Sequence, residues 1–152
     1  MTQFTNKDAF DIAQRFAGID EIGGNVDNPQ ILAMLKLDVK WAKHDEVPWC
    51  SAFVNYICWL CRLPRSKDLR ARSWLNIGRG IPLNDAEVGD VVVLKRGGDN
   101  QPGPEVTDAK GHVGFYAGKL GNFIEVLGGN QSDTVKVSRY PLTRLLSVRR
   151  LV

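Results

Sequence analysis

The sequence predicts an α+β fold in which helices come first and an antiparallel sheet follows. Apolar residues recur at helical spacing through about the first 60 residues. From Val88 onward the period becomes that of strands, with β-branched runs separated by glycine and polar turns. Segregated helices and strands are typical of α+β proteins. With 152 residues, 43% of them hydrophobic, the chain can bury one compact core, so we expect a single domain over residues 1–152.

Two helices are predicted before residue 40. Thr5 and Asp8 form a capping pair for the first helix, whose apolar residues share one face. The glycine pair at 23–24 predicts a loop, and the second helix is expected to start near Asn28 and Pro29.

Residues 48–61 are apolar almost all the way round at helical spacing, which predicts a buried central helix. Pro48 is tolerated in a first helical turn, so the helix is expected to begin there with Cys50 in its opening turn. The positive end of the helix dipole lowers the pKa of a thiol, as a nucleophile requires. The alternative is that Cys50 is a small buried hydrophobe. Cys58 and Cys61 lie on the same helix and are expected to pack in the core.

A thiolate nucleophile needs a base, and His112 is the better placed of the two histidines. It opens a β-branched and aromatic run bounded by glycines, which predicts a strand with the imidazole at its entrance. Cys50 and His112 are far apart in the sequence and can meet only through the fold. His44, Asp45 and Glu46 also admit a metal site with Cys50, but consecutive residues rarely converge on one ion. Asp45 is therefore expected to cap the helix or shape the cleft wall.

About five strands are predicted in the second half, at residues 91–95, 113–117, 123–127, 135–137 and 146–152. A short helix is expected at 71–77. Arg70, Arg72 and Arg79 lie either beside the substrate or in water, and water is the favoured alternative. The loop at 96–111 is too long for a simple hairpin and is expected to form one lip of a cleft.

The net charge is +3, but from Lys136 onward the chain has five basic residues and no acidic one. This segment either attracts an anionic surface of the cell envelope or is the solvated face of a last strand. No nucleic-acid-binding module is recognisable, so we expect no nucleic-acid partner. No apolar run is long enough for a signal peptide or a membrane span, and we expect a soluble monomer synthesised in the cytoplasm.

Four segments occur in a characteristic order: 49–54 (WCSAFV), 88–94 (VGDVVVL), 111–116 (GHVGFY) and 126–131 (VLGGNQ). This series resembles the papain-like cell-wall hydrolases of the CHAP and NlpC/P60 type, especially the small single-domain group found among phage endolysins. The resemblance runs from about Ala9 to the C-terminus and lies in the ordered series rather than in any one motif.

The resemblance implies a papain-like fold with a nucleophile at Cys50, a general base at His112 and an orienting polar residue at Asn130. Many CHAP domains have a glutamate two residues before that asparagine, where this chain has Gly128, and Glu125 is the alternative on the same strand. The supporting candidates are Asp45, Trp49 and Gln131. No metal or organic cofactor is expected.

The resemblance also implies the substrate, an amide bond of bacterial peptidoglycan, at the muramoyl-alanine linkage or within the stem or cross-bridge peptide. Access to the wall would then need a holin, an injection apparatus or lysis from within. A toxin delivered into competing cells is an alternative with the same requirements. Two further alternatives are a papain-like hydrolase of other amides and a non-catalytic wall-binding or virion protein.

Overall fold

A computed structural model describes residues 3–22, 28–38, 48–98 and 100–152 of the chain. Its centre is an antiparallel sheet of six strands, and the helices pack against one face of that sheet. The predicted α+β class is therefore confirmed. The glycine pair at 23–24 and the segment containing His44, Asp45 and Glu46 lie outside the described residues.

The helices form where local signals favour them. The first, α1, has the predicted capping box, since the Thr5 side chain accepts from the Asp8 N–H and the Asp8 carboxylate accepts from the Thr5 N–H. Asn28 caps α2 through its side chain, and Pro29 occupies the first turn. The bounds are α1 (Asn6–Gln14), α2 (Pro29–Lys36) and α3 (Cys50–Leu60). The short helix predicted at 71–77 is a 3₁₀ segment, Ala71–Asn76.

Six strands form the sheet, one more than predicted. They are β1 (Arg79–Ile81), β2 (Val91–Lys95), β3 (Gly111–Leu120), β4 (Phe123–Gln131), β5 (Thr134–Pro141) and β6 (Leu145–Arg150). The order across the sheet is β1-β6-β2-β3-β4-β5, and every neighbouring pair is antiparallel. The strand missed by the sequence is β1, which is only three residues long and pairs with β6 at the sheet edge.

The two faces of the sheet bury different sets of residues. One face carries Val113 and Phe115 of β3 and packs against α3. The Phe53 ring of α3 meets the Phe115 ring edge to face, with the ring centres 6.3 Å apart. The other face carries Tyr116 in a smaller cluster with side chains of β2, β4 and β6. Alternation along β3 therefore places His112 on the same side as Tyr116.

The basic residues of the last strand are engaged within the fold. Arg150 forms a two-point ion pair with the buried Asp90 carboxylate, at 2.8 and 3.0 Å. Arg149 donates from its guanidinium to the carbonyls of Ile77 and Gly78, both at 2.8 Å. These contacts join β6 to the preceding loops, an outcome that neither alternative from the sequence predicted. Contact of this segment with an anionic surface stays a prediction.

The described helices include none with the length and apolar character needed to cross a lipid bilayer.

Candidate active site

Cys50 is the first residue of α3, two residues later than the helix start predicted at Pro48. Trp49 is the N-cap, and its carbonyl accepts the first helical hydrogen bond from the Phe53 N–H at 2.9 Å. The N–H groups of the first turn have no partner within the helix. The Cys50 side chain is almost fully buried, with 3% of the residue exposed. The thiol thus sits at the positive end of an eleven-residue helix.

Close contact with β4 fixes the position of this helix start. The Trp49 indole is fully buried and lies against the backbone of Gly129, where an added Cβ would come within 2.5 Å of the ring. Only glycine therefore lets β4 approach the indole so closely. Trp49, a supporting candidate from the sequence, contributes packing, and its Nε1 has no hydrogen-bond partner among the described residues.

The β3 strand holds His112 rigidly. His112 pairs with Leu94 of β2, and only 5% of it is exposed. The imidazole stacks on the Tyr140 ring of β5, with ring centres 5.3 Å apart and planes tilted by 33°. The strand and the aromatic face together restrict the ring to one orientation.

The hydrogen-bond partner of the His112 ring is Gln131. Its Oε1 lies 2.9 Å from His112 Nε2, and the buried Gln131 amide N–H₂ donates to the carbonyls of Val126 and Lys136. Because the amide nitrogen faces two carbonyls, Oε1 must be the atom that faces the imidazole. The Tyr140 hydroxyl donates to the same Oε1 at 3.0 Å. Nε2 must therefore carry a proton, and Nδ1 is left for the thiol of Cys50.

A β-bulge explains why Gln131, and not Asn130, contacts the histidine. In the register of β3 and β4, Phe115 pairs with Leu127. If this register continued without interruption, Asn130 would lie opposite His112. The pairing of β4 with β5 shifts between Gly128 and Gln131, and Asn130 has a left-handed backbone with φ of 57°. The expected contact between Asn130 and His112 is replaced by the one from Gln131. Asn130 lies at the rim of the site.

Glu125, the alternative to Asn130, pairs with another side chain and not with the imidazole. Glu125 faces Arg139 on the neighbouring strand, with 3.6 Å between the charged groups. Asp45 lies outside the described residues. Among the residues that the structure describes, no group of three or more His, Cys, Asp or Glu side chains could hold a metal ion.

The pKa values of Cys50 and His112 are shifted in opposite directions. Burial raises the pKa of Cys50, but the hydrogen bond and charge of His112, the Val113 N–H and the charge of Arg96 together bring it below its ordinary value. Burial lowers the pKa of His112, but the Cys50 thiolate and the Gln131 bond outweigh burial and raise it. Opposite shifts of this kind favour a thiolate and imidazolium pair.

The other two cysteines have the opposite character. Burial and the neighbouring Cys61 raise the pKa of the Cys58 thiol far above its ordinary range. Burial and the charge of Asp8 raise the pKa of Cys61. Both thiols are free and buried, as the core packing predicted from the sequence requires. Cys50 is thus the one cysteine whose surroundings favour a thiolate.

Two clefts flank the cysteine and histidine. The Cys50 cleft, of about 440 Å³, is lined by Cys50, Pro48, residues 69–71, Arg96 and residues 108–111. The His112 cleft, of about 200 Å³, is lined by His112, Lys95, Arg96, residues 130–132, Tyr140 and Arg144. Arg96 belongs to both. A chain bound across the pair would therefore pass Arg96.

The long loop after β2 forms one wall of the Cys50 cleft, as predicted, and a buried arginine holds it. Arg72 is fully buried and donates to the carbonyls of Pro102, Gly103, Val106 and Lys110 at 2.8 to 3.0 Å. The prediction that Arg72 faces water was wrong, because the loop folds its carbonyls around the guanidinium. One side chain thus sets the shape of the cleft wall.

The opposite wall is tied to α3 by polar side chains inside the helix. The Ser51 hydroxyl donates to the Asp68 carbonyl at 2.5 Å and accepts from the Trp74 indole at 3.0 Å. The Asn55 side chain accepts from the Lys67 N–H at 2.9 Å. These bonds fix residues 66–68, which lead into the cleft, against the helix that carries Cys50. Buried polar residues on an apolar helix were the only sequence signal for this contact.

No protein-family model matches this chain, and no curated protein matches it significantly.

Proposed function

We propose that this protein is a cysteine hydrolase of peptidoglycan, of the phage endolysin kind, which cleaves an amide bond of the bacterial cell wall. The observation that carries the proposal is a buried series of three side chains. Cys50 opens α3, His112 lies at the start of β3, and Gln131 ends β4 and contacts the imidazole. A thiol, an imidazole and an amide in this order are the parts of a papain-like nucleophilic site.

Attack by the thiolate is the first step of the proposed reaction. Cys50 Sγ adds to the carbonyl carbon of the scissile amide, and the carbonyl oxygen gains negative charge. The N–H groups of the first α3 turn, including that of Cys50, have no partner within the helix and are the available donors for this charge. The proton on His112 Nδ1 then passes to the leaving amine, which departs and leaves a thioester on Cys50.

Water completes the turnover. Neutral His112 accepts a proton from water at Nδ1, hydroxide attacks the thioester, and the carboxylic acid product leaves as Cys50 regains its thiolate. Gln131 accepts from the Nε2–H throughout, so the same ring nitrogen always faces the sulfur. Burial raises the pKa of Tyr140 to about 12, and its hydroxyl therefore stays protonated and donates to Gln131.

The choice of peptidoglycan rests on the ordered resemblance of four sequence segments to CHAP and NlpC/P60 hydrolases. Two of those segments carry Cys50 and His112, and a third carries Gln131. The fourth carries Asp90, whose buried carboxylate binds Arg150 and the Glu87 N–H. The resemblance therefore covers residues of the site and residues of the scaffold.

The test is incubation of the full chain with purified peptidoglycan, followed by mass spectrometry of the released fragments. The proposal expects new amino termini, and the residue carrying them identifies the bond. Cys50→Ala should abolish their release, whereas Cys58→Ala, on the same helix, should retain it. Both variants are checked for unchanged circular dichroism.

Three other outcomes would overturn the proposal. Hydrolysis of soluble peptides with no release from walls would favour a papain-like hydrolase of other amides. Wall binding that survives Cys50→Ala, with no hydrolysis by the native protein, would favour a non-catalytic protein. Release that survives Cys50→Ala would remove Cys50 as the nucleophile. A delivered toxin and an endolysin differ in the cell that is lysed. Lysis of competing cells after injection would indicate a toxin, and lysis of the producing cell from within would indicate an endolysin.

A further inference from the structure

The described residues that line the two clefts around Cys50 and His112 carry more positive than negative charge. Arg70, Arg96 and Lys110 line the Cys50 cleft, and Lys95, Arg96 and Arg144 line the His112 cleft. Among the residues that the structure describes, the only acidic one in either lining is Asp108. A cleft with this balance favours a negatively charged ligand.

Two of these five cations already have partners. The Arg70 guanidinium pairs with the Asp68 carboxylate at 2.8 Å. The Arg144 guanidinium donates to the carbonyls of Lys95 and Gly97. Arg96 is exposed and, like Lys95 and Lys110, forms no side-chain ion pair or hydrogen bond with any described residue, but Arg96 alone lines both clefts. The guanidinium common to both clefts is thus free to bind a ligand.

Arg96 is also close enough to act on the reacting groups. Its positive charge contributes to lowering the pKa values of Cys50, His112 and Tyr140. A cation beside the His112 imidazolium is unfavourable in the free protein, and an anion bound to Arg96 would offset that repulsion. The position therefore suits a ligand group that arrives with the substrate.

We propose that Arg96 binds a carboxylate of the substrate, so that the enzyme prefers acidic peptides whose free carboxylate lies next to the scissile amide. A guanidinium binds a carboxylate through two parallel hydrogen bonds and so fixes orientation as well as charge. Bound at the junction of the two clefts, the carboxylate would hold the scissile carbonyl beside Cys50. This inference deepens the proposed function and rests on it for the identity of the substrate.

Carboxylate recognition can be tested without knowing the substrate, by comparing two alkylating reagents. Iodoacetate and iodoacetamide both transfer a two-carbon group to a thiolate with loss of iodide, and they differ in carrying a carboxylate or its amide. The ratio of their rates at Cys50 is measured relative to the same ratio for glutathione. Any change in the pKa of Cys50 cancels in this ratio, since both reagents attack the same thiolate.

The native protein should favour iodoacetate about tenfold relative to glutathione, as expected for a charge-assisted contact. Arg96→Gln should remove most of that preference, and Arg96→Lys, which keeps the charge but not the two-point geometry, should fall between them. Arg15→Gln is the matched control, because Arg15 is exposed, has no ion pair with described residues and lies outside both clefts. No preference in the native protein, or equal loss in the Arg15 variant, would overturn the inference.

A second measurement joins this inference to the wall. Purified peptidoglycan is compared with the same material after its carboxylates have been coupled to ammonia, which converts them to amides. Faster release of amino termini from the untreated polymer, with a loss in Arg96→Gln that appears mainly in KM, supports carboxylate binding. Equal release from both polymers overturns it while leaving the hydrolase intact. No release from either, with the iodoacetate preference present, overturns the wall substrate and not the role of Arg96.

Discussion

Replacing His112 with alanine tests the electrostatics of the site most directly. Burial, the largest influence on the Cys50 pKa, raises it, and His112 supplies the two main opposing contributions. Without the imidazole, burial prevails and the Cys50 pKa should rise above the ordinary value of about 8.5. The thiolate should then form only in alkaline solution, in contrast with the native protein.

The size of the effect follows from the thiolate fraction. At a pH below the pKa of a thiol, each unit by which that pKa rises lowers the thiolate fraction about tenfold. The thiolate fraction of Cys50 in His112→Ala should therefore fall about tenfold for each unit by which its pKa rises above that of the native protein. The more basic thiolate is intrinsically more nucleophilic, which offsets roughly threefold of that loss. The midpoint of the pH profile is therefore a sharper measure than the rate at one pH.

The assay is iodoacetamide labelling from pH 5 to 10, with peptide mass spectrometry to separate the three cysteines. Cys58 and Cys61 serve as internal controls, since their raised pKa values and burial should keep them slow in both proteins. An unchanged midpoint at Cys50 in a folded His112→Ala protein would refute the thiolate and imidazolium pair. Labelling of all three cysteines at one rate in the native protein would refute the special position of Cys50.

Three further predictions concern residues around this pair. Gln131→Ala should lower kcat on the order of 10²-fold with little change in KM, because the imidazole loses the contact that orients it. Asn130→Ala should lower kcat much less. The reverse order in steady-state kinetics would contradict the Gln131 contact. Gly129→Ala should lower the free energy of unfolding by about 1–3 kcal/mol in urea titrations, since its Cβ would meet the Trp49 ring. Arg72→Met should lower the free energy of unfolding by ~3 kcal/mol in the same titration, because four carbonyls lose their donor. The loop should then become open to trypsin cleavage at Lys110. A loop that remains resistant would show that other contacts hold it.

The sequence predicted the elements with strong local signals. The Thr5 and Asp8 capping box, the Pro29 helix start and the strand Val91–Lys95 are all present, because each depends on neighbours within a few residues. The helix expected from Pro48 begins at Cys50, within the usual error of a helix end. The strand β1 was missed because three residues at a sheet edge, RGI, carry no alternation that a pattern could detect.

The sequence predicted the reacting pair of the site, Cys50 and His112, but not the contacts that support this pair. Cys50 and His112 stand at the ends of elements, where sequence signals are clear. Gln131 reaches the imidazole only because a bulge interrupts β4, and strict alternation cannot foresee a bulge. Arg72 is buried by carbonyls some 30 to 38 residues away along the chain, a contact that the tertiary fold alone creates.

The distribution of the three cysteines determines how this site responds to oxidants. A small reagent such as peroxide would convert a Cys50 thiolate to sulfenic acid, which a nearby second thiol normally traps as a disulfide. Cys58 lies eight residues further along the same helix, about 12 Å away at 1.5 Å per residue, and Cys61 is further still. Neither can reach Cys50 while α3 stays folded. The chain has no resolving thiol of its own, and recovery from oxidation depends on a reductant from outside.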